Sequence, residues 1–352
     1  MEVPADYSRI QERMDLTDLT TFGVPWKADY GLVVTEREHV RDGIGFAKAN
    51  NLTMMVLGGG SNVLATKRFK GLVMVNRLAG RSVVSDSESE IVLEINSGEN
   101  WHETVLFCVE KGYHGFENLA LIPGTVGGAV VQNIGAYDQQ IDRLVRSVLV
   151  VDLETGEERE FAAGECEFAY RNSLFKGSDR YMVMSVRFVL SREYEPITTY
   201  KGLRQELSNM DANANDPKAG EVTEAVMKLR EEKLPDWELI GTAGSFFANP
   251  RVEWKEIRKL KKRYPTMPVF SNDETSEHTV PAGWLIEHCS LDHKLREQFL
   301  SDNHALVLVN RYKGATDQPQ KYGKQIEHVA HKIANIVKRE FGISLRPEVL
   351  TI

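Results

Sequence analysis

The chain has 352 residues, enough for two or three domains at roughly 150 residues each. Hydrophobic residues make up 42% and charged residues 27%, which excludes a disordered chain, a collagen-like repeat and a disulfide miniprotein. The 51 acidic residues outweigh 43 basic ones for a formal net charge of −8, so no nucleic-acid or membrane partner is expected, although a local cationic pocket is still allowed.

Residues 1–15 mix acidic and polar types without the apolar stretch of a secretory signal. No later run approaches the roughly 18 apolar residues that span a bilayer. Apolar runs at Val33-Val34, Met54–Leu57, Leu72–Val75 and Ile91–Ile95 predict strands, and Arg37–Asn50 and Asn100–Gly112 predict amphipathic helices. In the second helix Trp101, Val105, Cys108 and Val109 recur at helical spacing, so Cys108 reads as core and Gly112 as the stop. Strands at Val145–Leu153 and Tyr181–Leu190 flank a turn at Glu154-Thr155-Gly156.

Composition shifts after Leu190, and Asn209–Gly220 reads as an exposed loop. Helices follow at Glu221–Glu232 and Glu253–Tyr264, then a proline-flanked loop from Pro265 to Pro281. The charge run Lys255–Arg263 reads as a solvated helix face, leaving Trp254, Ile257 and Leu260 for packing. Ala305–Asn310 predicts a buried strand. Gln325–Phe341 aligns Ile326, Val329, Ile333, Ile336, Val337 and Phe341 on one face, with His328 and His331 at its solvated edge. The pattern is α+β. Cys108, Cys166 and Cys289 are odd in number and widely spaced, so no disulfide framework or zinc spacing emerges and a cytoplasmic location is expected.

Two glycine-rich segments carry chemistry. In the first, a strand ending at Leu57 runs into Gly58, Gly59, Gly60, Ser61 and Asn62, whose backbone N–H groups can form a concave cradle for a pyrophosphate. A simple tight turn is the bland alternative; the spacing is neither a dinucleotide fingerprint nor a Walker loop. In the second, Pro123 stiffens a turn while Gly124, Gly127 and Gly128 admit close approach, followed by Asn133, Gly135 and Ala136. Two such segments suit a flat heteroaromatic ring beside a pyrophosphate, which means a dinucleotide such as FAD.

Six motifs occur in order: GGGSNVL from Gly58, ENLALIPGTVGGAVVQNIGAY from Glu117, CEFAYRNSLFK from Cys166, KLPDWELIGTAGSFFANP from Lys233, AGWLIEHC from Ala282 and LRPEV from Leu345. Together they resemble the UDP-N-acetylenolpyruvoylglucosamine reductase (MurB) family over nearly the whole chain, and Thr198–Leu203 resembles the tyrosine loop of its longer, type I members. The resemblance implies an FAD-binding domain of the vanillyl-alcohol-oxidase (PCMH) type at 16–200. It implies a C-terminal α/β substrate-binding domain at 201–346 and a segment 347–352 returning to the active site. It further implies NADPH as hydride donor, UDP-N-acetylglucosamine enolpyruvate as substrate and UDP-N-acetylmuramate as product. A monomer is the expected state.

By the same resemblance Arg171 matches the catalytic arginine, Ser245 the proton donor and Glu348 the third catalytic position. A fixed guanidinium suits the enolate-like charge of such a reduction, although without the motif Arg171 reads as a surface salt-bridge arginine. Ser245 alone reads as a helix N-cap. Tyr200, Lys233 and Asn249 match substrate contacts, with Tyr170 beside the catalytic arginine; Arg230 is added from its position. Type I members often carry glutamine at His304, and the stretch 291–304 lacks the family's glycines, which puts its substrate contacts in question. Asp138 replaces a common glycine, a change expected to matter less. Two other readings stand beside this one: another alcohol oxidase or dehydrogenase of the same FAD fold, which has no use for Ser245 and Glu348, and a flavin-binding homologue with altered or lost catalysis.

Overall fold

A computed structural model describes residues 7–272, 277–319 and 321–352. Their contacts divide them into two units: residues 7–15, 27–60 and 69–231 form the first, and 16–26, 61–68 and the described residues of 232–352 the second.

The first unit has two sheets. Ala28–Val34 runs parallel to Phe69–Asn76, which is parallel to Thr53–Leu57, and Gln11–Glu12 adds an antiparallel edge. Helix α1 (Arg37–Ala49) lays Val40, Ile44 and Ala47 against Leu32, Leu72 and Met74 of this sheet. The second sheet is antiparallel, in the order 158–162, 145–152, 181–191, 90–96 and 81–86. Its outer strands, Glu158–Ala162 and Arg81–Asp86, escape the sequence reading because edge strands are mostly exposed and carry little apolar signal.

Helix α2 (Trp101–Lys111) begins where Asn100 accepts a hydrogen bond from the Glu103 N–H and ends at Gly112, φ +66°. Trp101, Val105 and Cys108 are buried as expected; Trp101 packs edge-on against Phe116 and donates from Nε1 to the Leu119 carbonyl at 2.9 Å. Helix α3 (Val126–Gln132) joins the same core.

Helices α4 (Lys201–Asn209) and α5 (Ala219–Lys233) differ from the sequence reading, which opened the second domain at 201. Leu203, Leu207, Val222, Ala225, Val226 and Leu229 are buried in the first unit's core. Burying each such side chain contributes about 1.5–3 kcal/mol, so packing holds these helices with the first unit.

In the second unit Gly241–Ser245 pairs antiparallel with Val307–Asn310. Helix α6 (Trp254–Arg263) buries Ile257, but Trp254, expected to pack, is 47% exposed with its ring on His278. The expected loop at 265–281 contains a hairpin, Phe270–Asn272 with Glu277–Thr279. Helix α7 (Ala282–Glu287) follows. The stretch 291–304, read as a loop, contains helix α8 (His293–Phe299): the Asp292 carboxylate accepts from the Leu295 N–H, and Leu295 and Phe299 bury one face. Helix α9 (Tyr322–Phe341) buries the six predicted face residues, leaves His328 and His331 exposed and closes at Gly342, φ +74°. Leu350–Thr351 then pairs, in parallel, with Val63–Leu64. No helix among the described residues is long and apolar enough to cross a membrane.

Candidate functional site

The two glycine segments of the first unit lie backbone against backbone. A Cβ on Gly59 would fall 2.5 Å from Gly124 Cα, and one on Gly58 would fall 2.8 Å from Thr125 Oγ1. Gly60 at φ +61° and Gly124 at φ +118° occupy conformations that favour glycine. Arg77 Nη1 donates to the Gly58 carbonyl at 2.9 Å, pinning the loop from behind, and burial lowers the Arg77 pKa. Thr125 opens α3 by accepting from the Gly128 N–H, and the Gly127 N–H reaches the Ser97 carbonyl at 2.8 Å, where a Cβ on Gly127 would collide with Ser97 Cβ. Among the described residues no protein acceptor meets the N–H of Gly59 or Gly60. Unpaired N–H groups on an unobstructed turn suit an anion such as a pyrophosphate. Pro123 precedes this wall, and Leu57 ends the strand that feeds it.

Asn133 closes α3 in the left-handed region, φ +45°. Its Nδ2 donates to Asp142 and to the Ala169 carbonyl at 3.1 and 2.9 Å, while Oδ1 is buried without a partner among the described residues. A buried orphan acceptor calls for a donor, and the N–H of a flavin ring is one. The glycine cradle and this acceptor fit FAD.

Arg171 is tightly placed. It sits at φ +55°, inside a turn bridged by Ala169 and Asn172, a conformation that costs about 1–3 kcal/mol for a non-glycine residue. Its Nη2 donates to the Gly135 carbonyl at 2.6 Å, Lys176 Nζ donates to the Arg171 carbonyl, and its guanidinium lies 5.1 Å from the Tyr170 ring. The short strand Gly135–Ala136 therefore ties the second glycine segment to this arginine. Arg230, on α5, donates from Nε to the Leu121 carbonyl; burial, and then the charge of Arg171, lower its pKa. Tyr137 faces Arg230, and its ring meets Tyr200 edge-on at 5.1 Å. The sequence reading left Tyr137 out of the site; its position after Gly135-Ala136 was the available signal. Asp138, expected to matter little, accepts from the Thr199 hydroxyl at 2.7 Å and so holds the residue preceding Tyr200.

In the second unit Ser245 ends a strand, so it is no helix N-cap. Gly244, φ +70°, shifts the register between Thr242 and Ser245, a bulge that re-aims the side chain. Beyond it Phe246 donates to the Leu306 carbonyl and accepts from the Glu348 N–H at 2.8 Å. The Glu348 carbonyl accepts from Asn62 Nδ2 at 3.1 Å, and the Leu350 N–H donates to the Asn62 carbonyl. Backbone pairing thus sets Ser245, Glu348 and the Ser61-Asn62 end of the first glycine motif side by side. Asn249 Oδ1 accepts from the Ala282 N–H at the start of α7, leaving its amide nitrogen to donate.

The segment after α8 reaches Lys233 without glycine. Asn303 Nδ2 donates to the Glu232 carbonyl, and His304 Nδ1 accepts from the Leu306 N–H. Burial, opposed by Glu287 and reinforced by Lys233, lowers the His304 pKa. His304 is then a neutral imidazole with Nε2–H as its donor.

A family model described as FAD binding domain matches residues 28–162, and one described as UDP-N-acetylenolpyruvoylglucosamine reductase, C-terminal domain, matches 235–352. The chain is 37% identical over 340 residues to a UDP-N-acetylenolpyruvoylglucosamine reductase of Pseudomonas putida, covering 96% of this chain and 97% of that one. It is 37% identical over 353 residues to the protein so named in Burkholderia multivorans, covering 99% of each. A crystal structure of the Thermus caldophilus reductase shares the fold with a TM-score of 0.62 at 21% identity, covering 97% of this chain and 98% of that one.

Proposed function

The chain belongs to the UDP-N-acetylenolpyruvoylglucosamine reductase family, and from this we infer that it is an FAD-dependent oxidoreductase converting UDP-N-acetylglucosamine enolpyruvate to UDP-N-acetylmuramate in peptidoglycan precursor synthesis. The observation that carries this reading is similarity over almost the full chain, joined to a glycine cradle and an orphan acceptor that fit the cofactor. When bound, FAD supplies the hydride chemistry, and NADPH is the donor we assign to it.

Arg171 stabilises the negative charge that develops at the substrate carboxylate. Its bond to Gly135 and its constrained turn hold the guanidinium in place beforehand, so little reorganisation is needed as charge appears. Ser245 gives a proton to the carbon bearing the ether oxygen, an acid role for which a serine needs a stabilised or relayed hydroxyl. Glu348 orients the substrate or assists that proton transfer. Lys233 attracts the diphosphate; Tyr170, Tyr200, Asn249, Arg230 and neutral His304 supply hydrogen bonds or charge. The enzyme acts in the cytoplasm, as a monomer.

The test is the visible spectrum of the purified flavoprotein, followed anaerobically. NADPH should bleach the flavin band, and the enolpyruvyl nucleotide should restore it. A flavin that NADPH reduces but the substrate cannot reoxidise would refute the assignment.

A further inference from the structure

One charged feature takes no part in this chemistry. Helix α6 presents Lys255, Arg258, Lys259 and Lys262 at i, i+3, i+4 and i+7, on the side opposite buried Ile257. Lys261 and Arg263 flank the stripe, so six exposed cations face one carboxylate within the helix, Glu256. Among the described residues none of the six forms an ion pair, whereas Arg81, Arg180, Arg187 and Arg192 each have a carboxylate partner. Solvated helix faces ordinarily intersperse both signs. This one concentrates positive charge on a chain of net charge −8.

Aromatic surface adjoins it. Trp254, at the start of α6, is 47% exposed with its ring 4.9 Å from that of His278. His278 belongs to the hairpin of Phe270–Asn272 with Glu277–Thr279, where it pairs with Ser271; Phe270 pairs with Thr279 and so lies on the other face. The helix is convex and about 15 Å long, so its four-cation face suits an extended surface better than a small ligand.

We propose that the α6 face docks the protein on an anionic lipid surface. The cations engage lipid phosphates, and Trp254 enters the headgroup region, where aromatic rings are favoured. Charge complementarity selects an anionic partner. The exposed indole of Trp254 beside the cations fits the headgroup region of a lipid surface, and retention on heparin separates a nucleic-acid-like polyanion from it. The attachment is peripheral and reversible, held by one helix face.

The test is co-sedimentation of the FAD-loaded protein with vesicles of phosphatidylglycerol and phosphatidylcholine, against vesicles of phosphatidylcholine alone. Sedimentation should require phosphatidylglycerol and weaken as salt screens the charges. Lys259→Gln and Lys262→Gln should each lower the partition coefficient about fivefold, and Trp254→Ala should lower it further, all at unchanged flavin content. No sedimentation with phosphatidylglycerol, equal binding to both vesicles, or a double variant that binds like the parent would overturn the proposal. Retention on immobilised heparin without vesicle binding would also overturn it, by assigning the stripe to a different polyanion.

Discussion

Gly59→Ala probes the cofactor cradle directly. The new methyl would stand 2.5 Å from Gly124 Cα, 3.0 Å from the Gly124 carbonyl carbon and 3.3 Å from the Thr125 nitrogen. Ordinary contact begins at 3.4 Å, so the two segments must part by nearly an ångström, and the obstruction is backbone. Gly59 is not at positive φ, so the cost is steric and not conformational. Overpacking of this kind costs about 1–3 kcal/mol. If the cradle holds the pyrophosphate, parting its walls weakens FAD binding by about fivefold to a hundredfold. Gly128→Ala is the control: its Cβ meets only Thr125 Oγ1, at 3.5 Å, inside α3, where alanine is favoured over glycine by about 1 kcal/mol. Its apoprotein should be at least as stable as the parent, so any loss of FAD there reports a contact with the cofactor. The assay is titration of stripped protein with FAD by fluorescence quenching, alongside thermal unfolding of each apoprotein. A Gly59→Ala protein with parental Kd and parental apo stability would refute the placement.

Ser245→Ala should accept hydride from NADPH at a near-normal rate but reoxidise with substrate at least about 10²–10⁴-fold more slowly in stopped-flow absorbance; equal slowing of both halves would indict the flavin site instead. Lys233→Ala should raise KM for the nucleotide substrate while leaving kcat nearly intact, and an unchanged KM would remove Lys233 from the site. For His304 the folded pKa lies below the ordinary 6.5, so the unfolded chain binds more protons and stability falls as the pH drops through that value. His304→Gln should flatten this loss, measured as Tm against pH.

Long, strongly patterned elements were legible. The buried face of α9 is legible because periodicity records burial, the strand ending at Leu57 because its apolar run stops at three glycines, and Gly112 and Gly342 mark helix ends because both adopt a left-handed conformation. Helix α8 was missed because the absence of family glycines drew attention from its own signal, an Asp292 cap followed by Leu295 and Phe299 at helical spacing. The ownership of α4 and α5 could not be read, because an apolar stripe does not name the core that buries it. Nor could the Asp138–Thr199 bond, a tertiary contact between distant residues that no local pattern encodes. The cradle was foreseeable as two glycine runs, but their mutual approach at Gly59 and Gly124 is a property of the fold.

The parallel pairing of Val63–Leu64 with Leu350–Thr351 bears on how the protein is made. Synthesis is vectorial, so the strand at 63–64 must wait for nearly the whole remaining chain before its partner exists. Over that interval most of the first unit has been made and can condense, although its sheets pair strands as far apart as 90–96 and 185–191. The second unit cannot, because it draws on residues 16–26 and 61–68 as well as 232–352. A chain halted before residue 348 lacks the strand that pairs with Val63–Leu64, the N–H that bonds the Phe246 carbonyl and the carbonyl that receives Asn62. Such a fragment carries exposed strand edge and becomes a target for aggregation or proteolysis. The pairing at Leu350–Thr351 therefore joins segments of the second unit that lie far apart in sequence, and the backbone bonds around Phe246 and Asn62 form only once both are present.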